Sequence, residues 1–352
     1  MNSNFQISLF RIGIQIHGSI VAVKIYYVIR NVGLERKLQK QEKEMKMDRN
    51  KFTEVLCRTV LTTLGEEYRT ELSQVRKNNG VMKEVLNIRK EGSECIPCFY
   101  TEELYRSYCE GEHEMGLAEH MADIVLNECD AVRQEVRKYM KKEWIAEHLF
   151  VRLVQTEQNK EWLEDTIYVP YLDLAAVVYV LTEDCEEGIK SFLLPKYFWD
   201  TLGVGTPEEY FPEIVANTKR LFPESLWCIE NRLKEGENVW EIVPKSPEEK
   251  RNGLRAKQLY ALSNRRKVNG AAVILYPELL MQIYEWFSGA FFVIPSSVHE
   301  VLLLKDTGEE DEEVLNCMVS EVNEKQVEPE EVLAGHVYYY SAEKGLCKSR
   351  DE

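Results

Sequence analysis

A serine-rich connection followed by a histidine holds the residue types that covalent catalysis requires. Ser296 and Ser297 supply hydroxyl nucleophiles, and His299 and Glu300 supply a base and an acid within the same five residues. A hydrolase would need a nitrogen of the His299 ring within hydrogen-bond reach of one hydroxyl. Residues 299–304 have the pattern of a strand, in which neighbouring side chains point to opposite faces, so His299 and Glu300 are not expected to share one reaction centre. The alternative is a connection whose hydroxyls satisfy nearby backbone groups.

Four potential zinc ligands lie in a short segment of the N-terminal part: Cys95, Cys98, Cys109 and His113. Cysteine and histidine are suitable ligands for one tetrahedral site. Cys109 and His113, however, flank the end of a predicted helix, and no second Cys-x-x-Cys pair occurs. A thioredoxin-like use of Cys95 and Cys98 is disfavoured, because polar residues precede the pair and the helix begins only at Thr101. The sequence leaves a small zinc site and metal-free thiols as alternatives.

Four further polar residues lie inside or beside apolar segments, where they could contact a ligand: Arg152, Asp173, Asn217 and Asn269. The alternative for each is a buried side chain that ties two elements together by hydrogen bonds. The sequence has no His-Glu-x-x-His pattern, phosphate-binding loop, G-x-S-x-G turn or G-x-G-x-x-G turn. It therefore predicts no cofactor.

Composition and charge exclude several classes of function. The 352 residues suffice for about two domains. A net charge of −16 does not suit binding to a nucleic-acid backbone, so we expect no nucleic-acid partner. The nine cysteines are scattered and odd in number, whereas a disulfide framework normally uses an even number in a shorter chain. We therefore expect a cytoplasmic protein.

The first 46 residues differ from the rest of the chain, with eight basic residues against three acidic ones. Their longest uncharged run, Ile12 to Val23, is too short to span a bilayer. One interpretation is a basic amphipathic segment that contacts a membrane surface. The other is an extension outside the folded domain, produced by a non-native start. Membrane contact is expected only under the first interpretation.

The remaining elements predict an α+β fold with a mixed, mainly antiparallel sheet. Asn78-Asn79-Gly80 separates two strand-like segments and predicts a tight turn. Leu172–Leu181 is almost continuously apolar and predicts a central strand. Gly270–Leu275 is predicted to be a strand that follows a polar turn. Thr206-Pro207-Glu208-Glu209 predicts a capped helix start. We expect a smaller, helix-rich part over residues 47–145 and a larger mixed-sheet part over residues 146–345.

The segment from Asp306 to Glu331 contains eleven acidic residues and one basic residue. The acids are clustered, which does not match the alternating ligands of a calcium-binding EF-hand loop. We interpret the segment as an acidic helix start, followed by a helix over about 311–324. The apolar side of that helix is expected to be buried, and it comprises Val314, Leu315, Met318, Val319 and Val322.

Six separated stretches resemble one bacterial family, catalogued as domain of unknown function 5688. They are Lys77-Asn-Asn-Gly-Val81, Arg152-Leu-Val, Leu172-Asp-Leu-Ala-Ala-Val-Val-Tyr179, Ala216-Asn-Thr-Lys-Arg-Leu-Phe-Pro223, Asn269-Gly-Ala-Ala272 and Ile294-Pro-Ser-Ser-Val-His-Glu-Val301. The resemblance extends over about Met47 to Lys344 and leaves the first 46 residues outside it. It implies a fold and no reaction, and its stretches do not include the potential zinc ligands.

These observations favour a non-catalytic module that binds a protein or a small ligand, because no segment gathers catalytic residue types in a workable geometry. The partner is not identified by the sequence. The alternatives are a hydrolase that uses His299 with Ser296 or Ser297, and a small zinc site in the N-terminal part.

Overall fold

A computed structural model describes residues 46–93, 95–139, 141–185, 188–229, 254 and 258–351, together with the backbone of three strands between residues 6 and 30. The chain divides into two compact units that alternate along the sequence. Unit 1 comprises residues 1–77, 82–148 and 180–195, and unit 2 comprises residues 78–81, 149–179 and 196–352. The division into consecutive parts over residues 47–145 and 146–345 stays a prediction. The hypotheses about residues 1–46 stay predictions.

Unit 1 packs helices against one face of a largely antiparallel sheet. Its helices are α1 (Arg49–Leu64), α2 (Thr101–Cys109), α3 (Glu114–Tyr139) and α4 (Lys142–His148). Its strands are β1 (Gln6–Ser8), β2 (Ile12–His17), β3 (Ile20–Arg30), β4 (Tyr68–Arg76), β5 (Met82–Lys90) and β6 (Cys95–Tyr100). The sheet has the order β1-β3-β6-β5-β4, with β2 also paired with β3. Strands β3 and β6 are parallel, and α1 and α3 contribute to one core with residues of β4, β5 and β6.

The hairpin of β4 and β5 confirms the predicted tight turn. Arg76 pairs with Met82, and the antiparallel register continues to Tyr68 and Lys90. Asn79 has φ 58° and Gly80 has φ 70°. Asparagine and glycine tolerate this left-handed backbone better than other residues, which is why the local sequence indicated the turn.

Unit 2 contains the larger share of the described strands. They are β7 (Leu149–Gln155), β8 (Tyr168–Tyr171), β9 (Leu174–Cys185), β11 (Glu224–Cys228), β12 (Tyr260–Asn264), β13 (Phe291–Ser297), β14 (Glu300–Lys305), β15 (Tyr338–Ser341) and β16 (Gly345–Cys347). The intervening strand β10 (Gly188–Leu193) belongs to unit 1. The helices of unit 2 are α5 (Lys160–Leu163), α6 (Lys196–Leu202), α7 (Pro207–Leu221), α8 (Leu279–Phe287) and α9 (Glu312–Lys325). The long strand β9 passes from unit 2 to unit 1 between Tyr179 and Val180.

Two sheets involve these strands. One has the order β10-β9-β7, with β8 paired with β9, and the other has the order β11-β12-β14-β13-β15-β16. Every pair of neighbouring strands in the second sheet is antiparallel. The protein is therefore an α+β protein with mostly antiparallel sheets, as the sequence predicted.

Two local predictions in unit 2 are confirmed. Residues 174–178 of β9 are fully buried, as their apolar sequence indicated, whereas Leu172 and Asp173 of the predicted strand form the turn before β9. Helix α7 begins with a complete capping box, in which the Thr206 hydroxyl accepts from the Glu209 amide at 3.2 Å and the Glu209 carboxylate accepts from the Thr206 amide at 2.9 Å. Both features depend on residues that are close in sequence.

The strand predicted over Gly270–Leu275 is wrong, because these residues form a buried 3-10 helix. A short apolar run fits a buried helical turn as well as a strand. Here Asn269 takes a left-handed backbone conformation with φ 51°, which redirects the chain at the start of the run. Within the described residues, no helix is both long enough and apolar enough to cross a membrane.

Candidate functional site

The connection between β13 and β14 is a two-residue turn made by Val298 and His299. Ser297 pairs with Glu300 across it, so the strand starts at Glu300 and the predicted strand start at His299 is wrong. The Val298 amide donates to the Glu331 carbonyl at 2.8 Å. The Ser263 hydroxyl donates to the His299 carbonyl at 2.7 Å. The backbone of the turn is thus held by residues from two other segments.

The His299 ring is used at both nitrogens. The Asn269 amide donates to Nδ1 at 3.0 Å, so in the neutral ring the proton lies on Nε2. Nε2 lies 3.3 Å from Oε1 of Glu331. The candidate ligand residue Asn269 therefore contributes its backbone amide to the orientation of this ring.

The serines of the proposed hydrolase have other partners. The Ser296 hydroxyl donates to Oε1 of Glu300 at 3.4 Å. The Ser297 hydroxyl accepts from the backbone amide of His299 at 3.0 Å. Within the described residues, neither hydroxyl forms a hydrogen bond with the His299 ring. The structure brings the four candidate residues into one turn, and their contacts are those of a braced connection.

Gly270 follows Asn269 and lies against this turn with no space for a side chain. A Cβ atom at Gly270 would be 2.0 Å from Oγ of Ser263 and 2.5 Å from the carbonyl oxygen of His299. The absence of a side chain at Gly270 therefore lets the backbone at this residue approach the backbone of the turn at His299.

Asp173 belongs to a polar cluster that sequence reasoning found only in part. One carboxylate oxygen lies 2.9 Å from Nε2 of His336, and the other accepts from the Tyr338 hydroxyl at 2.9 Å. Nδ1 of His336 lies 2.9 Å from the Val337 carbonyl oxygen. Both ring nitrogens face acceptors, so this geometry suits the protonated ring.

The two charges of this pair stabilise each other. The hydrogen bond to Asp173 raises the pKa of His336 above its ordinary value, against the effect of burial. Burial raises the pKa of Asp173, but the hydrogen bonds from His336 and Tyr338 outweigh it and hold that pKa below its usual range. His336 had no signal in the sequence, because its partner is far away along the chain.

Arg152 and Asn217 show two different outcomes for polar residues near apolar segments. Arg152 is buried in β7, with its guanidinium carbon 4.1 Å from the centre of the Tyr179 ring and 5.2 Å from that of Phe150. Cation–π contacts of this kind stabilise a buried guanidinium. Asn217 is half-buried on α7, and its side-chain oxygen accepts from Arg220 at 3.3 Å.

The potential zinc ligands are distributed over a strand and a helix end. Cys98 is buried in β6, and its thiol donates to the side-chain oxygen of Asn87 at 2.8 Å. Cys109 and His113 are exposed near the end of α2, and the side chain of Cys95 lies outside the described residues. The part of the chain that is described contains no group of three potential metal ligands. The zinc hypothesis stays a prediction.

An asparagine network in unit 2 was not found from the sequence. Asn159, which is fully buried, donates to the side-chain oxygens of Asn78 at 2.9 Å and Asn79 at 3.1 Å. Asn78 and Asn79 in turn donate to backbone carbonyls of Glu330, Pro329 and Val332. Asn78 and Asn79 thus do more than make the turn: their side chains fasten the segment that also carries Glu331.

Helix α9 shows the largest departure from the sequence expectation. Of the five apolar residues expected to be buried, only Val319 is fully buried. Leu315 is partly buried and packs against the cluster that contains Val319. Val314, Met318 and Val322 are 54%, 57% and 39% exposed. The prediction that these three side chains face the core is wrong.

Two asparagines explain why α9 turns a different face to the core from the one that its apolar spacing predicts. The side-chain oxygen of Asn316 accepts from the Val337 amide at 2.8 Å. The side-chain amide of Asn323 donates to the Ala334 carbonyl at 2.9 Å. These bonds, with the burial of Val319, hold the polar side of the helix inward. The apolar spacing alone carried no information about partners in residues 334–337.

Unit 1 has a surface groove of about 490 Å³ between α1 and the β4–β5 hairpin. Its walls include Cys57, Thr70 and Glu84, and Leu86 forms part of its floor. Burial raises the pKa of the Cys57 thiol, and the hydrogen bond with Thr70 opposes that effect. The thiol is thus less nucleophilic than an ordinary exposed cysteine.

The fold and these sites define an α+β protein whose candidate catalytic turn is braced and whose helix α9 carries an exposed apolar stripe. The chain belongs to the family of unknown function DUF5688, which matches residues 49–342. No curated protein and no solved structure matches the chain.

Proposed function

We propose that this protein is a non-catalytic binding module that docks a basic amphipathic helix of a partner protein on α9. The observation that carries the proposal is the exposed apolar stripe of Val314, Met318 and Val322 on that helix. Contiguous exposed apolar surface on a folded protein is typical of an interaction site.

The stripe has the geometry of a helix-docking surface. Its three members are spaced at i, i+4 and i+8, so they lie on one side of α9 along about 12 Å of its axis. Cys317 is also exposed on this helix. Helix α9 is fastened by its other side, so the stripe is presented on a fixed element.

The charge around the stripe selects the chemistry of the partner. Asp311 caps α9, and Glu312 and Glu313 follow in its first turn. Glu321 lies one turn after Met318, and Glu324 follows on the same helix. Residues 311–325 contain five acids and one base, Lys325, which pairs with Glu321 at 2.6 Å. The excess of acids on α9 favours lysine and arginine over acidic residues. A helix with one apolar face and basic flanks satisfies both features.

The contacts at His299 support a binding role over catalysis, because both ring nitrogens and both neighbouring serine hydroxyls have bracing partners. We also propose a cytoplasmic location. It is supported by the free thiols of Cys57, Cys109 and Cys317, which are typical of a reducing compartment.

The proposal is tested with the full chain and a labelled peptide of about 18 residues, which makes five helical turns. The peptide contains only leucine and lysine, with the leucines at helical spacing. Fluorescence anisotropy should show saturable binding that weakens as salt is raised. Met318→Gln should weaken binding about fivefold, because partial burial of this side chain contributes about 1 kcal/mol.

Met115→Gln is the matched control, since Met115 is 51% exposed on a different helix, α3. Its affinity should equal that of the unchanged protein. A scrambled peptide and a peptide with glutamate in place of lysine should bind much more weakly. Absence of saturable binding, an equal loss with Met115→Gln, or equal binding of the acidic peptide would refute the proposal.

A further inference from the structure

Arg350, close to the C-terminus, contacts the acidic connection that leads from β14 into α9. One guanidinium nitrogen donates to the Glu310 carbonyl at 2.9 Å and lies 3.6 Å from Oδ1 of Asp306. The backbone amide of Arg350 donates to the Glu312 carboxylate at 3.0 Å. Within the described residues, the guanidinium therefore donates one hydrogen bond, to a carbonyl, and lies near the Asp306 carboxylate.

Two aromatic rings complete this site. The guanidinium carbon lies 4.8 Å from the centre of the Phe292 ring and 5.8 Å from that of Tyr339. Phe292 is fully buried, and the Tyr339 hydroxyl donates to Oδ2 of Asp306 at 2.8 Å. An aromatic surface next to a carboxylate is the chemistry that recognises arginine.

Asp306 is held in position without help from Arg350. Its two carboxylate oxygens accept from the Gly308 amide at 2.8 Å and from the Tyr339 hydroxyl at 2.8 Å. Its side chain is only 12% exposed. The carboxylate is therefore pre-organised for a cation whether or not Arg350 occupies the site.

Arg350 uses this site incompletely. Its Nε is buried and has no hydrogen-bond partner within the described residues. The 3.6 Å separation from Asp306 exceeds a hydrogen-bond distance. A guanidinium carries five donors in a planar fork. An arginine from another protein is not held by the backbone around Arg350, so it could direct more of these donors at the Asp306 carboxylate than Arg350 does.

We propose that Phe292, Asp306, Glu310 and Tyr339 form a binding site for the arginine side chain of a partner protein, and that Arg350 is its internal competitor. The four site residues lie within the family match, which ends at residue 342, whereas Arg350 lies beyond it. The site borders the N-terminal end of α9, but the contacts that carry this inference do not include the apolar stripe.

Competition within one chain has a measurable consequence. When an internal group occupies a site, the apparent dissociation constant of an external ligand rises in inverse proportion to the open fraction. Short tethers produce effective concentrations in the millimolar range. Removal of the Arg350 side chain should therefore tighten the binding of a small arginine ligand about tenfold.

The experiment titrates N-acetyl-arginine amide into the full chain and follows the amide resonances of Asp306 and Gly308 by NMR. Arg350→Ala should bind this probe about tenfold more tightly than the unchanged protein. N-acetyl-lysine amide should bind more weakly, because it lacks the planar fork. Asp306→Asn in the Arg350→Ala background should abolish binding of the arginine probe.

Lys348→Ala is the control for loss of a cation from the same tail, and it should leave the affinity for the arginine probe unchanged. Arg350→Gln serves as a second variant that retains a longer polar side chain. Equal affinity in the unchanged protein and both Arg350 variants, or equal binding of the lysine probe, would overturn the inference. The probe carries no apolar face, so this result is independent of whether a peptide docks on α9.

Discussion

At the scale of single residues, the most constrained positions in unit 2 are Gly270, Asp173 and His336. Their constraint is steric at Gly270 and electrostatic at Asp173 and His336. In each case, the partner lies in another segment of unit 2. Substitutions at these residues therefore test how the segments of unit 2 are held together.

Gly270→Ala should destabilise the protein by about 3 kcal/mol, as overpacking of a rigid contact does. The added Cβ would meet Oγ of Ser263 at 2.0 Å and the backbone oxygen of His299 at 2.5 Å. The latter cannot move without a shift of the turn. Urea unfolding monitored by circular dichroism measures the change. Gly335→Ala, with nothing within 4 Å of the new Cβ, is the control, and an equal effect of both variants would contradict the explanation.

The Asp173–His336 pair should make stability depend on pH. Its hydrogen bond to Asp173 raises the pKa of His336 in the folded protein, so the stabilisation is complete below the unfolded value of about 6.5. It is lost as the pH rises through the higher folded value. NMR titration of the ring should give a pKa above the ordinary value, and Asp173→Asn should lower it.

Tyr338→Phe is the control for this titration, since it removes the phenol's bond to Asp173 and leaves the contact between Asp173 and His336 in place. The pKa of His336 should remain above its ordinary value in this variant. If Asp173→Asn leaves that pKa unchanged, the ion pair is not its cause.

At the scale of elements, helix ends are specified locally and helix faces are not. The capping box of α7 was evident from four consecutive residues, because the hydroxyl and carboxylate of a capping box reach backbone amides three residues away. The rotation of α9 was not evident, because Asn316 and Asn323 bind backbone groups of Val337 and Ala334. Its apolar spacing fits either orientation.

Thr206→Ala should lower the free energy of unfolding by about 1 kcal/mol, because it removes the acceptor for the Glu209 amide at the start of α7. Thermal or urea unfolding measures the loss. In the control Thr201→Ala, the removed hydroxyl donates to the Phe198 carbonyl within the adjacent helix α6, and we expect a much smaller change. Equal losses would show that the capping box does not stabilise α7.

At the scale of the whole molecule, charge and topology have separate consequences. The net charge of −16 affects solubility and the electrostatics of association, and it does not specify the fold. The fold comes from alternating strands and amphipathic helices, which is why α+β architecture was predictable. The exchange of segments between the two units was not predictable, since β9 shows no break in its apolar sequence at the point where it passes from one unit to the other.

The sequence by itself determined the family, the fold class, the hairpin at Asn78–Gly80 and the cap of α7, because each depends on composition or on contacts between near neighbours. Only the tertiary structure decided that His299 is braced, that Asp173 pairs with His336, that the α9 stripe is exposed and that Arg350 occupies an aromatic and acidic site. Those outcomes depend on contacts between residues far apart in the chain, such as the 163 positions that separate Asp173 from His336. Periodicity and spacing carry no information about which distant backbone group or side chain will be brought into contact.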